Sequence, residues 1–388
     1  MARARYIDPF SAEQLQRLAA EFGSPLLVVD CARVRTQYRN LRRALPGVDL
    51  HYALKPLPHA AVVQTVLGEG GWLDLATTGE VQLARQLGVA PERCIHTHPI
   101  KRPIDIRNAL DYGVRTFVVD NPDEVYKFKA HATEVRLLIR VSFRSPGAVS
   151  DLSRKFGCDA DDALELARLA AANGIDVQGL SFHVGSQARD ALKHVEAIEV
   201  CARVLAAARR HKLGSLDTLD IGGGFPIRYR GPVPEIGRFC APIRAALAQL
   251  PKRLRVIAEP GRYIAGPAAV GVATVMGRAK REGLWWYYLD DGLYGSYSGQ
   301  MFDHAHYPVE ALRQGEPLLP SVLAGPTCDS IDVIAENLQL PQLKTGDLVV
   351  GRAMGAYTWA SASEFNFFPK ATVVAVNRRP GDLGGVVG

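Results

Sequence analysis

Long apolar runs are missing from this 388-residue chain. No stretch approaches the roughly 20 apolar residues that a bilayer-crossing helix needs, so no membrane partner is expected. The opening residues, MARARYIDPF, hold two arginines with no apolar core behind them. That predicts no signal peptide and a cytoplasmic location. Cysteine is sparse: six residues, at 31, 94, 158, 201, 240 and 328, with no CxxC pair among them. Such spacing predicts reduced, mostly buried thiols and no metal site. Only Cys328, in GPTCDSID, has polar, turn-like neighbours. Neither sign of charge dominates, with 46 Lys+Arg against 40 Asp+Glu and a formal net charge of +6. The densest basic runs, RR at 209–210 and GRAKRE at 277–282, are short. Nucleic acid is therefore not an expected partner, and a small anionic ligand fits the bias as well.

What is present is a rhythm. SAEQLQRLAAEFG reads as a helix, with Ser11 and Gln14 placed for a capping box and Gly23 as the stop. PLLVVD at 25–30 reads as a strand and CARVRTQYRNLRRAL as a helix. Apolar, strand-like runs then begin near residues 48, 71, 94, 116, 135, 177, 216 and 254. Helical periodicity fills most gaps, most clearly over 161–173 and 189–211. Eight strand–helix units over about 220 residues match an α/β fold of the (β/α)8 barrel type, with a doubly wound open sheet as the competitor. After residue 266 short Val-, Tyr- and Trp-rich runs alternate with Gly and Pro turns. The expected organisation is a barrel over 36–265 and a second, mostly β domain formed by 1–35 plus 266–388. The tail RRPGDLGGVVG is expected to be loose.

Polar residues gather where the proposed barrel strands end, which is the catalytic face of such barrels. Lys55 ends the first strand, in HYALKPLPH, and Asp74 the second. Arg140 lies within the fifth, His183 ends the sixth, Gly222, Gly223 and Gly224 follow the seventh, and Glu259 ends the eighth. Taken singly, each has a plainer explanation: a lone histidine usually packs, a glycine run can be a tight turn, a lysine stem can cover apolar surface. As a set they lie on one face. A glycine run can offer N–H groups to an anion. A lysine, a phosphate cradle and a carboxylate for a pyridine nitrogen together point to pyridoxal 5'-phosphate.

With those residues in place, the sequence resembles the fold type III pyridoxal-phosphate decarboxylases, the group of ornithine and diaminopimelate decarboxylases. The resemblance runs through YALK, FHVGSQ, GGGFP, EPGRYI, DDGLYGSY, GPTCDSID and GAYTWASASEFNFF, in family order across most of the chain. It is nearest to the ornithine enzymes. It implies that Lys55 binds the cofactor aldehyde and that Asp74, Glu80 and Arg140 shape its surroundings. It also implies that His183 stacks on the ring and Glu259 pairs with the pyridine nitrogen. Ser186, Gly222, Gly223, Gly224, Arg262 and Tyr357 would bind the phosphate. Cys328 would protonate the product carbanion. Asp329 and Asp303 would hold the substrate's distal amine, with Phe302 beside them. A head-to-tail homodimer with shared active sites is further implied, bridged by Lys155 and Asp332.

The substrate expected on this basis is L-ornithine, giving putrescine. Phe302 stands where many ornithine enzymes carry tyrosine, which keeps L-lysine open as a minor or main substrate. A single methylene is worth only about 1–3 kcal/mol of discrimination. Diaminopimelate is disfavoured, because its decarboxylases usually carry Cys-Glu-Ser where this chain has Cys328-Asp329-Ser330. A racemase of the same fold would pair the ring nitrogen with arginine instead of Glu259. A non-catalytic regulatory relative would tend to lose Lys55, Cys328 and Asp329, all of which are kept.

Overall fold

A computed structural model describes residues 10–143, 155–315 and 317–379. Most of the tail expected to be loose, and nearly all of the arginine-bearing opening segment, lie outside those residues. The elements begin with α1 (Ala12–Phe22), β1 (Leu26–Asp30) and α2 (Cys31–Ala44). The Ser11 hydroxyl accepts the Gln14 N–H at 3.2 Å and the Gln14 side chain accepts the Ser11 N–H at 2.9 Å. The expected capping box is thus present, and Gly23 ends α1 at φ +79°.

The eight anticipated runs all form strands. They are β2 (Val48–Ala53), β3 (Trp72–Leu75), β4 (Cys94–His96), β5 (Thr116–Val119), β6 (Arg136–Val141), β7 (Asp176–Phe182), β8 (Thr218–Asp220) and β9 (Arg255–Ala258). All pair in parallel, and β2 pairs with β9 to close the barrel. Parallel strands covered by helices bury both faces. That is why they read as near-continuous apolar runs, with Leu73, Leu75, Phe117, Leu137, Ile139, Val177 and Leu219 all fully buried. The intervening helices include α3 (Ala60–Gly68), α4 (Thr78–Gln86), α5 (Pro103–Tyr112), α6 (Pro122–Lys127), α7 (Ala160–Ala172), α8 (Leu192–Arg210) and α9 (Ile236–Leu247). One compact unit, Arg35–Ile227 with Val233–Ile264, contains this barrel.

The other unit comprises residues 1–34, Arg228–Pro232 and Ala265–Gly388. It holds β10 (Ala269–Arg281), β11 (Leu284–Leu289), β12 (Val309–Ala311), β13 (Leu319–Ala324), β14 (Val333–Leu340), β15 (Leu348–Gly351) and β16 (Thr372–Val376). Their sheet order is β12-β15-β10-β11-β13-β14, and β1 joins it antiparallel to β10 and parallel to β16. The core of this unit is Leu15, Leu26, Val28, Val270, Val272 and Val350. Phe10 and Leu312 close it. The segment 228–232 was not anticipated here; Tyr229 packs edge-on against Tyr307 at 5.6 Å. Among the described residues no helix is long and apolar enough to cross a membrane. Four cysteines are buried, Cys158 is half-buried and Cys328 is exposed.

Candidate active site

Lys55 stands two residues past β2, on a turn tied from both sides. The Ala53 N–H donates to the Pro260 carbonyl and the Leu54 N–H to the Asp74 carbonyl, both at 3.3 Å. The Leu57 N–H closes the turn on the Leu54 carbonyl at 3.0 Å, and the Tyr52 hydroxyl reaches the Leu57 carbonyl at 3.1 Å. Pro56 fits against Gly261, where any Cβ would lie 2.6 Å from the proline ring. This proline therefore locks the lysine turn onto the end of the eighth barrel strand.

Four carboxyls surround that turn. Asp74, on β3, is buried and accepts a hydrogen bond from the Thr97 hydroxyl. Burial first, and the charge of Glu259 second, raise its pKa well above the carboxylate range, while Lys55 opposes the shift. Glu80 caps its own segment, accepting the Ala76 N–H at 2.5 Å, and burial raises it too. Asp220, at the end of β8, is fully buried and pushed up to about 6 by burial. Glu259 is held far above the usual range by burial and by the charge of Asp220, against the pull of Lys55 and Arg140. The Arg140 guanidinium, on β6, lies 5.5 Å over the Phe156 ring, and the Lys155 amine lies 5.0 Å from the same ring. Four low-dielectric carboxyls against the charges of Lys55 and Arg140 leave an acid cluster that favours a further positive charge beside Glu259.

His183 follows β7. Its Nδ1 accepts the Gly185 N–H at 3.0 Å, so the single proton of the neutral ring sits on Nε2. Burial, then Lys55 and Arg140, push its pKa well below the ordinary value, and the ring stays neutral. Beneath it runs the turn Gly222–Gly224. Gly222 has φ +63° and Gly224 φ +96°, a region that favours glycine. A Cβ on Gly222 would lie 2.2 Å from the Phe182 carbonyl.

The three glycines are not equivalent. The Gly222 N–H is already engaged by Asp220 Oδ1 at 2.9 Å, and the Gly222 carbonyl accepts the Glu259 N–H at 2.8 Å. Among the described residues, the N–H groups of Gly223 and Gly224 have no acceptor. The Gly224 carbonyl accepts the Ala188 N–H at 3.0 Å, which brings the 185–188 loop alongside. On that loop the Ser186 hydroxyl accepts from Arg262 Nε at 3.1 Å and Nη2 at 3.0 Å. Loops after the sixth, seventh and eighth barrel strands thus converge as a cradle for a phosphate-sized anion.

The remaining expected residues lie in the β unit. Asp329 Oδ2 accepts the Tyr294 hydroxyl at 2.5 Å and Oδ1 the Ile331 N–H at 3.2 Å. The tyrosine bond, foremost, lowers the Asp329 pKa. Tyr294 is stacked on Phe365 at 4.3 Å. The Cys328 N–H donates to Asn366 Oδ1 at 3.3 Å, and Asn366 holds a left-handed φ of +55°. Asp332 is buried and ties two loops together. Its Oδ1 accepts the Leu293 N–H at 2.7 Å, and Oδ2 accepts the Thr327 N–H at 3.1 Å and hydroxyl at 2.7 Å. Phe302 is exposed at the end of a short helix, Gly299–Phe302, and Asp303 follows it. Gly299 packs so closely under Tyr357 that a Cβ there would lie 2.7 Å from the Tyr357 carbonyl.

Sequence inspection overlooked Asp220, Thr97, Tyr294 and Asn366. Asp220 lies two residues before the GGGFP motif, where the glycines draw attention away from it. Tyr294 lies inside DDGLYGSY, 35 residues from its partner.

The family described as "Pyridoxal-dependent decarboxylase, pyridoxal binding domain" matches residues 31–266. The lysine/ornithine decarboxylase of Selenomonas ruminantium is 35% identical over 371 residues, covering 95% of this chain and 94% of that protein. The lysine/ornithine decarboxylase of Vibrio vulnificus, solved with putrescine, is similar at 54% identity and a TM-score of 0.91. That match covers 95% of this chain and 100% of the other. The same enzyme solved with cadaverine gives 54% identity and a TM-score of 0.91, covering 96% and 99%.

Proposed function

This chain belongs to the pyridoxal-dependent decarboxylases, and from that membership we propose that it converts L-ornithine to putrescine and carbon dioxide. It is a carbon–carbon lyase that uses pyridoxal 5'-phosphate. The residues of the barrel fit that group: two N–H donors without acceptors among the described residues, an Arg262–Ser186 pair beside them, and a carboxyl cluster around a lysine. The observation that carries the proposal is the meeting of Lys55, Glu259 and the Gly223–Gly224 turn at one barrel mouth.

When bound, the cofactor supplies a sink for the electron pair left by departing carbon dioxide. Each residue then has a task. Lys55 holds the aldehyde end through its amine. Glu259, with Asp220 behind it, keeps a proton on the pyridine nitrogen. Neutral His183 offers a ring face without adding charge. Gly223, Gly224, Ser186, Arg262 and Tyr357 bind the phosphate, and Gly222 shapes the turn. Asp74, Glu80 and Arg140 set the charge around Lys55. Asp329 and Asp303 hold the distal ammonium of the substrate, far from the reacting carbon, where binding energy orients the reaction. Cys328 delivers a proton to Cα.

Two copies share each site in this proposal, with Cys328 and Asp329 of one completing the barrel of the other and Lys155 of one bridging to Asp332 of the other. Support comes from exposed apolar side chains: Ile331, next to Asp332, at 51%, and Phe365 and Phe367, which flank the Asn366 that accepts the Cys328 N–H, at 43% and 98% exposure. The proposed setting is the cytoplasm, where the thiols stay reduced.

L-Lysine is the second reading. It is favoured by exposed Phe302 beside Asp303, where a tyrosine hydroxyl would tighten the amine site, and by relatives named for both substrates. A competition assay tests both. Ornithine, lysine, diaminopimelate and arginine are offered together and the amines identified. Putrescine in excess supports the proposal, cadaverine in excess shifts it to lysine, and turnover of diaminopimelate contradicts the role given to Asp329.

A further inference from the structure

We propose that His194, on α8 behind the glycine turn, is a positioning residue for the cofactor phosphate, acting through the Gly223–Gly224 peptide. The inference rests on the phosphate role given above to that turn. His194 is fully buried. Its ring stacks on Phe225 at 5.7 Å and 24°, and meets Phe182 and Phe239 edge-on at 6.4 and 5.9 Å. Phenylalanine would suit such a pocket. Instead the imidazole Nε2 lies 3.0 Å from the Gly223 carbonyl oxygen.

A carbonyl only accepts, so Nε2 carries the proton and Nδ1 keeps a bare lone pair. Among the described residues Nδ1 has no hydrogen-bond partner. Burying an unmatched polar atom costs about 1–3 kcal/mol, which a phenylalanine here would not incur. The ring's one hydrogen bond is therefore what distinguishes histidine at this position. Burial lowers its pKa to about 4, so the donor is neutral and the tautomer fixed near neutrality.

The geometry explains the target. Gly223 C=O and Gly224 N–H belong to one peptide plane and point in opposite directions. Holding the carbonyl toward α8 aims the Gly224 N–H away from α8, and no described group accepts it. A hydrogen bond to the carbonyl also polarises the peptide and strengthens its N–H as a donor. Gly223 has little freedom to compensate, because a Cβ there would lie 2.8 Å from the Glu259 carbonyl and 3.0 Å from His183 Nε2.

The test compares ligands with and without a phosphate. Apoprotein is titrated with pyridoxal phosphate and with pyridoxal, following absorbance and fluorescence. His194→Phe is expected to weaken pyridoxal phosphate binding roughly 3- to 10-fold and leave pyridoxal unchanged. His194→Gln, whose amide can donate to the carbonyl, is expected to restore part of the loss. Equal losses for both ligands, or none, overturn the inference. If the parent protein itself shows no preference for pyridoxal phosphate over pyridoxal, the phosphate role of the turn fails instead. A measurement on the unaltered protein stands apart from any folding defect. The His194 Nε2 proton is expected to shift in nitrogen-resolved magnetic resonance as inorganic phosphate is added, and an unmoved signal at saturation contradicts the proposal.

Discussion

The Tyr294 hydroxyl donates to Asp329 Oδ2 at 2.5 Å, and the tyrosine ring is itself clamped on Phe365. The bond fixes one rotamer of the acid proposed to receive the substrate's distal ammonium. Tyr294→Phe is therefore expected to raise KM for ornithine roughly fivefold with kcat within about twofold. The bond depresses the Asp329 pKa, so its loss moves that pKa back up toward the ordinary carboxylate range. The pH–rate profile above pH 6 should not change. A fall in kcat with unchanged KM would contradict this role.

Shared sites predict complementation. Lys55→Ala and Cys328→Ala should each be nearly inactive. After equal mixing and subunit exchange, half the dimers are mixed and each has one complete site, so about a quarter of parental activity should return. Activity no greater than the sum of the two variants would place Lys55 and Cys328 in the same copy's site.

His96, on β4, predicts a pH signature. It is fully buried, neither ring nitrogen has a partner among the described residues, and burial lowers its pKa to about 3. Its unfolded value is about 6.5, so between those values the unfolded chain binds the extra proton and the fold loses stability as pH falls. His96→Leu removes that penalty. Measured against the parent by denaturant unfolding of apoprotein, it should gain roughly 3 kcal/mol on going from pH 7 to pH 4. A pH-independent difference would show that His96 is not held neutral.

Much of this was legible from sequence because two of its signals are local. Parallel barrel strands are buried on both faces, so β2 to β9 appear as apolar runs, and the residues that end them mark the mouth. The capping box at Ser11 and Gln14 is contained within four residues. What escaped notice depends on long-range contact. His194 looks like any helix residue until Gly223, 29 residues later, is brought against its ring. The internal bonds of Asp332 to Leu293 and Thr327 likewise join segments that only the fold brings together. Asp220 stands beside glycines whose chemistry is louder, and only the closing of the barrel sets it next to Glu259.

The central claim is that Lys55 carries the cofactor. Lys101 is its natural rival, because burial lowers its pKa to about 8. Its amine, however, donates to the carbonyls of His98, Pro99 and Val118 at 3.0, 2.8 and 2.7 Å and lies 3.3 Å from Glu124. Borohydride reduction of the holoenzyme, followed by peptide mass spectrometry, decides between them. One phosphopyridoxyl group on the peptide containing Lys55 is the predicted result. Label on Lys101 or another lysine, or no label on a protein that turns over ornithine, would contradict the account.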